Sequence, residues 1–108
     1  MKKNKWILLG VILCLVLGVL GLFWGKIHTS FMMIEAQTSY NTGHIDKAIV
    51  LYQELISEYP DNAELYWRLG IAYYSSGDKL NARKQIQRLK KLKKDKLADD
   101  LQQLLESG

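Results

Sequence analysis

A disulfide framework is excluded at once, because Cys14 is the only cysteine in the chain and has no intrachain partner. Catalytic and metal-binding groups are equally scarce. His28 and His44 stand alone, with no second histidine, cysteine or carboxylate at ligand spacing, and neither a glycine-rich phosphate loop nor a nucleophile motif occurs. His28 reads as an interfacial residue and His44 as a turn residue between two helices. Neither an enzyme nor a protein with a metal or other cofactor is expected.

Charge is missing from the whole of Ile7 to Phe23, where seven leucines, two isoleucines and three valines are joined only by glycines, Cys14 and one phenylalanine. Trp6 and Trp24 bracket this run, and along a helix they stand roughly 27 Å apart at about 1.5 Å per residue, close to the roughly 30 Å hydrocarbon layer of a bilayer. Aromatic belts belong at those depths. Each aliphatic side chain favours insertion by roughly 0.3 to 0.6 kcal/mol at the centre of a span, with no ionised group opposing it. The reading is a transmembrane helix. A removable signal fits less well, since the run exceeds the usual apolar region of about 7 to 15 residues and offers no better small-x-small pair than Val19 and Gly21. A lipoprotein site is also not expected, with Cys14 mid-span behind Leu13. Lys2, Lys3 and Lys5 precede the span while Lys26 alone follows it closely, so the positive-inside rule places the amino terminus in the cytoplasm and the remainder outside it.

Beyond the span, two stretches match at an offset of 34 residues: Ala36 with Gly70, Gly43 with Gly77, Ala48 with Ala82, Tyr52 with Ile86 and Leu55 with Leu89. That period belongs to helical repeat arrays. The second copy presents Tyr66, Leu69, Gly70, Tyr73, Gly77, Ala82, Ile86 and Leu89 in a register that resembles the tetratricopeptide repeat family. Small residues at Gly70 and Ala82 let two helices approach, and the larger ones fill the space around the contact. The first copy keeps Ala36, Gly43, Ala48, Tyr52, Leu55 and Pro60 but has Met32, Glu35 and Ser39 where an aromatic, a leucine and a tyrosine are usual. Its first helix can run on from the span, with Gly25 the only break. Pro60 closes the first hairpin, Asp61 and Glu64 form a capping box for the next helix, and Gly77 with Asp78 ends one helix and caps another. Asp95 is expected to cap a last helix with Leu97, Leu101, Leu104 and Leu105 on one face and Asp99, Asp100 and Gln103 outward.

The predicted fold is all-α: an N-terminal transmembrane helix, two helix-turn-helix hairpins of the tetratricopeptide type and a solvating C-terminal helix. Residues 1–25 form the basic terminus and anchor, 26–94 the repeats (about 29–62 and 63–94), and 95–108 the cap. Two repeats are fewer than the three or more expected for independent stability, which favours help from a partner or from a second copy.

The resemblance implies a concave surface lined by the first helix of each hairpin. Carried over by position, this gives Met33, Gln37, Tyr40 and Asn41 from the first copy and Trp67, Ile71, Tyr74 and Ser75 from the second, an apolar groove for an extended or helical peptide. Packing against the cap helix is the competing use for some of these side chains. Members that bind chaperones clamp a terminal carboxylate with Lys, Asn and Arg in this groove; here only Asn41 and Arg68 are available, so that specificity is not expected.

Two other patterns stand out. Between Lys79 and Lys96 nine bases meet one acid, Asp95, whereas Lys26 to Asp78 holds three bases and seven acids. Leu80, Ala82, Ile86, Leu89 and Leu92 run through the basic stretch, which reads as an amphipathic helix whose exposed Arg83, Lys84, Lys90, Lys91, Lys93 and Lys94 suit anionic headgroups or an acidic protein, or simply face solvent. Nucleic acid is not an expected partner on the outer side of a membrane. Within the span, Gly10, Cys14, Gly18, Gly21 and Gly25 recur at helical spacing on one face and would let a second transmembrane helix approach.

Together these readings describe a membrane-tethered scaffold or assembly factor for a protein or peptide partner. In layout it resembles bacterial envelope proteins that join one span to tetratricopeptide repeats, which implies a single-pass protein of the inner membrane with its repeats in the periplasm or outside the cell. A structural subunit of a larger membrane complex and a self-associating membrane organiser are the alternatives.

Overall fold

The structure is a computed structural model that describes residues 2–107, with side chains from Asn4. Met1, Gly108 and the Lys2 and Lys3 side chains, which enter the orientation argument, lie outside the described residues. Five helices follow one another: α1 (Lys2–Asn41), α2 (Ile45–Glu58), α3 (Ala63–Ser75), α4 (Lys79–Lys91) and α5 (Asp95–Ser107). No strand occurs among the described residues, in agreement with the all-α expectation. The chain divides into two compact units, 1–31 and 32–108.

The first unit is helical throughout its described part and exposes its apolar side chains all round; Trp6 and Trp24 are each 76% accessible. The helix is long and apolar enough to cross a membrane by length and composition, and its most apolar window is not buried against protein at all. A membrane anchor and a signal sequence share that description. Gly25 does not interrupt the helix, and the Thr29 hydroxyl donates to the Gly25 carbonyl at 3.0 Å.

In the second unit the core forms around alanines. Ala36, Ala48 and Ala72 are fully buried with Tyr52, Leu55, Leu65 and Leu69, while Ala82 and Ala98 are fully buried with Tyr66, Ile86, Leu89 and Leu101. The departures from the repeat pattern in the first copy are absorbed locally. Met32 and Ser39 are buried, and Glu35 points outward to Lys47 of α2 at 3.0 Å. Gln53 of α2 donates to the Tyr73 hydroxyl of α3 at 2.6 Å, fastening one hairpin to the next.

Three of the four connections share one geometry. At the end of α1 the amide of His44 bonds to the Ser39 carbonyl and that of Gly43 to Tyr40; after α3, Asp78 bonds to Tyr73 and Gly77 to Tyr74; after α4, Lys94 bonds to Leu89 and Lys93 to Lys90. This is the paired six-to-one and five-to-two closure of a Schellman turn, which requires a left-handed residue at its centre. Gly43 (φ +87°) and Gly77 (φ +86°) fill that place freely, whereas Lys93 occupies it at φ +60°. A side chain there crowds its own carbonyl, at roughly 1 to 2 kcal/mol. Lys93→Gly should therefore stabilise the second unit by about 0.5 to 1 kcal/mol after the extra chain entropy of glycine is counted. A rise in the urea midpoint with unchanged slope is the expected observation, and a fall would show that the lysine is not strained.

Several expectations are corrected. Asn62, not Asp61, caps α3: its Oδ1 accepts from the Glu64 amide at 3.1 Å, and Glu64 is engaged with Arg68 instead of closing a capping box. Asp95 is the first residue of α5 and not its cap, so its charge acts through the helix N-terminus. The basic stretch is not one helix, because α4 stops at Lys91 and the Schellman turn separates it from Asp95. Leu80 lies off the buried face and is 67% accessible, whereas Gln85 takes a buried place that the apolar pattern did not assign to it. Gln85 satisfies its amide nitrogen on the Asn81 carbonyl at 3.2 Å. In α5 the buried side chains are Ala98, Leu101 and Leu105, with Leu97 and Leu104 flanking them. Asp78 does cap α4, accepting from the Asn81 amide at 3.1 Å and from its side chain at 2.6 Å. Those donors hold the Asp78 carboxyl below its ordinary value of 3.8. The cap's contribution is therefore complete above that ordinary value and is lost as pH falls through the lowered one.

Candidate partner-binding groove

The helices that should line a groove, α1 and α3, are joined at their C-terminal ends. The Tyr40 hydroxyl and the Ser75 hydroxyl lie 2.8 Å apart in a hydrogen bond across 35 residues of sequence. Tyr40 also lines a recess of about 140 Å³, together with Asn41, Tyr52, Trp67, Arg68 and Ile71. Four of the eight groove positions read from the sequence, Tyr40, Asn41, Trp67 and Ile71, thus share one cavity wall, and Ser75 anchors a fifth contact to them.

The other three are not part of that wall. Met33 is half-buried against the core of the first hairpin, Gln37 is half-buried, and Tyr74 is half-buried beside the second core. Trp67 and Ile71 also lean on the second core, so the groove aromatics divide their surface between the domain interior and the open side. Rigid, partly supported side chains of this kind lose little conformational freedom when a ligand arrives.

Tyr52 and Arg68 complete the recess; the sequence offers Arg68 only to a carboxylate clamp that is not expected, and gives Tyr52 no place there. Burial pushes the Tyr52 phenol up, against the opposing pull of the Arg68 guanidinium, so the ring stays neutral throughout the physiological range. Burial disfavours the Arg68 charge, but hydrogen bonding and attraction to Glu64 outweigh it and raise the guanidinium's pKa. Both Nε (3.0 Å) and Nη2 (2.8 Å) reach one Glu64 oxygen. With Arg68 already paired, a carboxylate clamp in the groove lacks its cation. The available signals, a hydroxyl at an otherwise apolar repeat position and an arginine one turn after a glutamate, mark Tyr52 and Arg68 as unusual but do not place them in the recess.

The remaining assigned positions lie elsewhere. Arg83, Lys84, Lys90 and Lys91 are exposed on α4, and Lys93 and Lys94 are exposed in the following turn. Cys14 is exposed, and a Cβ built on Gly10, Gly18, Gly21 or Gly25 would meet no atom within 4 Å. Among the described residues no group of three histidine, cysteine or carboxylate side chains is placed to hold a metal ion.

Comparison with known families agrees with this geometry. A family model described as TPR repeat matches residues 37–77, and one described as tetratricopeptide repeat matches residues 64–95. Together they cover residues 37–95, more than half of the chain, and the chain belongs to the tetratricopeptide repeat family. Comparison with curated proteins gives no match. The family is a protein-interaction fold, so a protein or peptide is the class of partner to which the repeats point.

Proposed function

We propose that the protein is a membrane-tethered scaffold or assembly factor that holds a peptide segment of its partner between α1 and α3, outside the cytoplasm. The observation that carries this reading is the recess itself: Tyr40, Trp67 and Ile71 line one cavity, and Tyr40 is held in place by its hydrogen bond to Ser75. Tethering by the apolar helix would confine that groove to the membrane surface and raise its effective concentration toward other membrane-bound or newly exported chains.

The decisive variant pairs Trp67→Ala with Tyr40→Ala, the two aromatic side chains that line the recess from α3 and α1. Aromatic anchors at the centre of an interface commonly cost about 2 kcal/mol or more when truncated, roughly thirtyfold in affinity. Partner binding measured by co-purification and titration should fall by at least that factor while helicity and membrane insertion persist. Changing Lys90, Lys91, Lys93 and Lys94 to glutamine should leave groove binding within a few-fold. The reverse pattern would refute the groove. For topology, a reporter active only outside the cytoplasm should work when fused after Gly108, and a cysteine at Ser107 should label in intact cells. Labelling only after permeabilisation would reverse the orientation.

A permanent structural subunit is the second reading. Ile34 on α1 and Val50 on α2 are 58% and 51% accessible on the first hairpin. A fixed stoichiometric set of co-purifying chains would favour the subunit, and a variable set the adaptor.

A further inference from the structure

A second recess, sharing no lining residue with the groove, opens beside α4. Its volume is about 560 Å³, within the roughly 300 to 1,000 Å³ of ligand sites. Lys84, Arg88 and Lys91 line it at steps of four and three, so they project from one face of the helix. The rest of the wall includes Pro60, Tyr66 and Leu92. Tyr66 is buried and donates its hydroxyl to the Pro60 carbonyl at 2.6 Å, so the apolar surface of the wall comes chiefly from Pro60 and Leu92. Among the described residues none of the three cations forms a close ion pair, although the Lys84 charge helps to hold the Asp78 carboxyl ionised; the close pairs are Glu35–Lys47 and Glu64–Arg68.

We propose that this recess is a second docking site, specific for an acidic segment of a partner protein in which an apolar side chain lies between carboxylates. The charge pattern selects the occupant. Cations one helical turn apart match carboxylates carried on a peptide, and the Pro60 and Leu92 surface matches an apolar side chain between them. A headgroup layer would address all the bases of α4 and the following turn alike and would leave that wall unused. The site would give the protein two separate contacts with its partner, one apolar at α1–α3 and one electrostatic at α4, and the second would weaken with salt.

The test uses the full chain in phosphatidylcholine nanodiscs and a fluorescein-labelled peptide of alternating glutamate and leucine, followed by anisotropy. The triple variant Lys84→Gln, Arg88→Gln, Lys91→Gln should weaken binding about tenfold, as expected for three pairs of modest individual strength. A charge-matched triple outside the recess, Lys79→Gln, Lys90→Gln, Lys96→Gln, should change it by less than about threefold. Replacing leucine by serine in the peptide should also weaken it. All six substituted side chains are exposed, so circular dichroism should be unaltered in both triples. Equal losses in the two triples would reduce the site to diffuse charge and overturn the proposal, as would failure of the peptide to bind. Retention on phosphatidylglycerol vesicles that depends on the recess triple, with peptide binding that does not, would overturn it in favour of a lipid headgroup.

Discussion

Replacing Ala82 by glutamate should abolish cooperative unfolding of the second unit. Ala82 lies in the first turn of α4 with no accessible surface, in the cluster formed by Tyr66, Ile86, Leu89, Ala98 and Leu101. A glutamate there meets apolar side chains in place of water, and an unpaired buried charge costs about 3 to 5 kcal/mol. Small domains have only about 5 to 15 kcal/mol in total. With Trp6→Phe and Trp24→Phe as background, Trp67 becomes the reporter, and its fluorescence followed against urea should show the transition lost or moved to very low denaturant. A midpoint unchanged from the parent would remove the helix crossing from α4. Lys79→Glu, on the same helix but exposed, should move the midpoint only slightly.

The second large effect concerns Gly70. A Cβ built on it would sit 2.5 Å from Cδ2 of Leu101 and 3.4 Å from Cβ of Gln85, so α3 meets both α4 and the closing helix at this point. Leu101 is itself fully buried and has little room to turn away. Gly70→Leu should cost about 3 kcal/mol through overpacking, and Gly70→Ala less, because alanine gains about 1 kcal/mol of helix propensity. The same urea titration measures both. Combining Gly70→Ala with Leu101→Ala should cost less than the sum of the single changes, since the methyl enters space the leucine has left. Strict additivity would show that the two residues do not touch.

The repeat was legible in the sequence because its signal is geometric. Glycine or alanine is demanded wherever backbones approach, and Gly70, Ala82 and Ala48 occur at those places. The turns were half legible. Gly77 and Asp78 announce themselves by residue type, whereas the end of α4 carries a lysine in a position that glycine usually fills, so nothing in the local composition marks Lys93 as a break. The basic stretch consequently read as a single helix. Asn62 displaced Asp61 as a cap because either residue can accept the first free amide, and only the turn after Pro60 decides which one faces it. At the groove, position within the repeat found Tyr40, Asn41, Trp67 and Ile71 but not Tyr52 or Arg68, since those enter from a second helix and from one residue beyond the expected face. Packing between elements, not periodicity within one, places them.

The two ends of the repeat unit differ in kind. The outward side of α5 carries Asp99, Asp100 and Gln103, all exposed, whereas the first hairpin exposes Ile34 and Val50. Polymerisation into a filament requires two unlike surfaces that fit each other head to tail. Here an apolar terminus would have to meet an acidic, hydrated one, so propagation is disfavoured. Contact through the apolar surface alone would be self-complementary about a two-fold axis and would close after a single copy had joined. A homotypic contact confined to that apolar surface would therefore stop at two copies, because the exposed acidic side of α5 offers it no matching face.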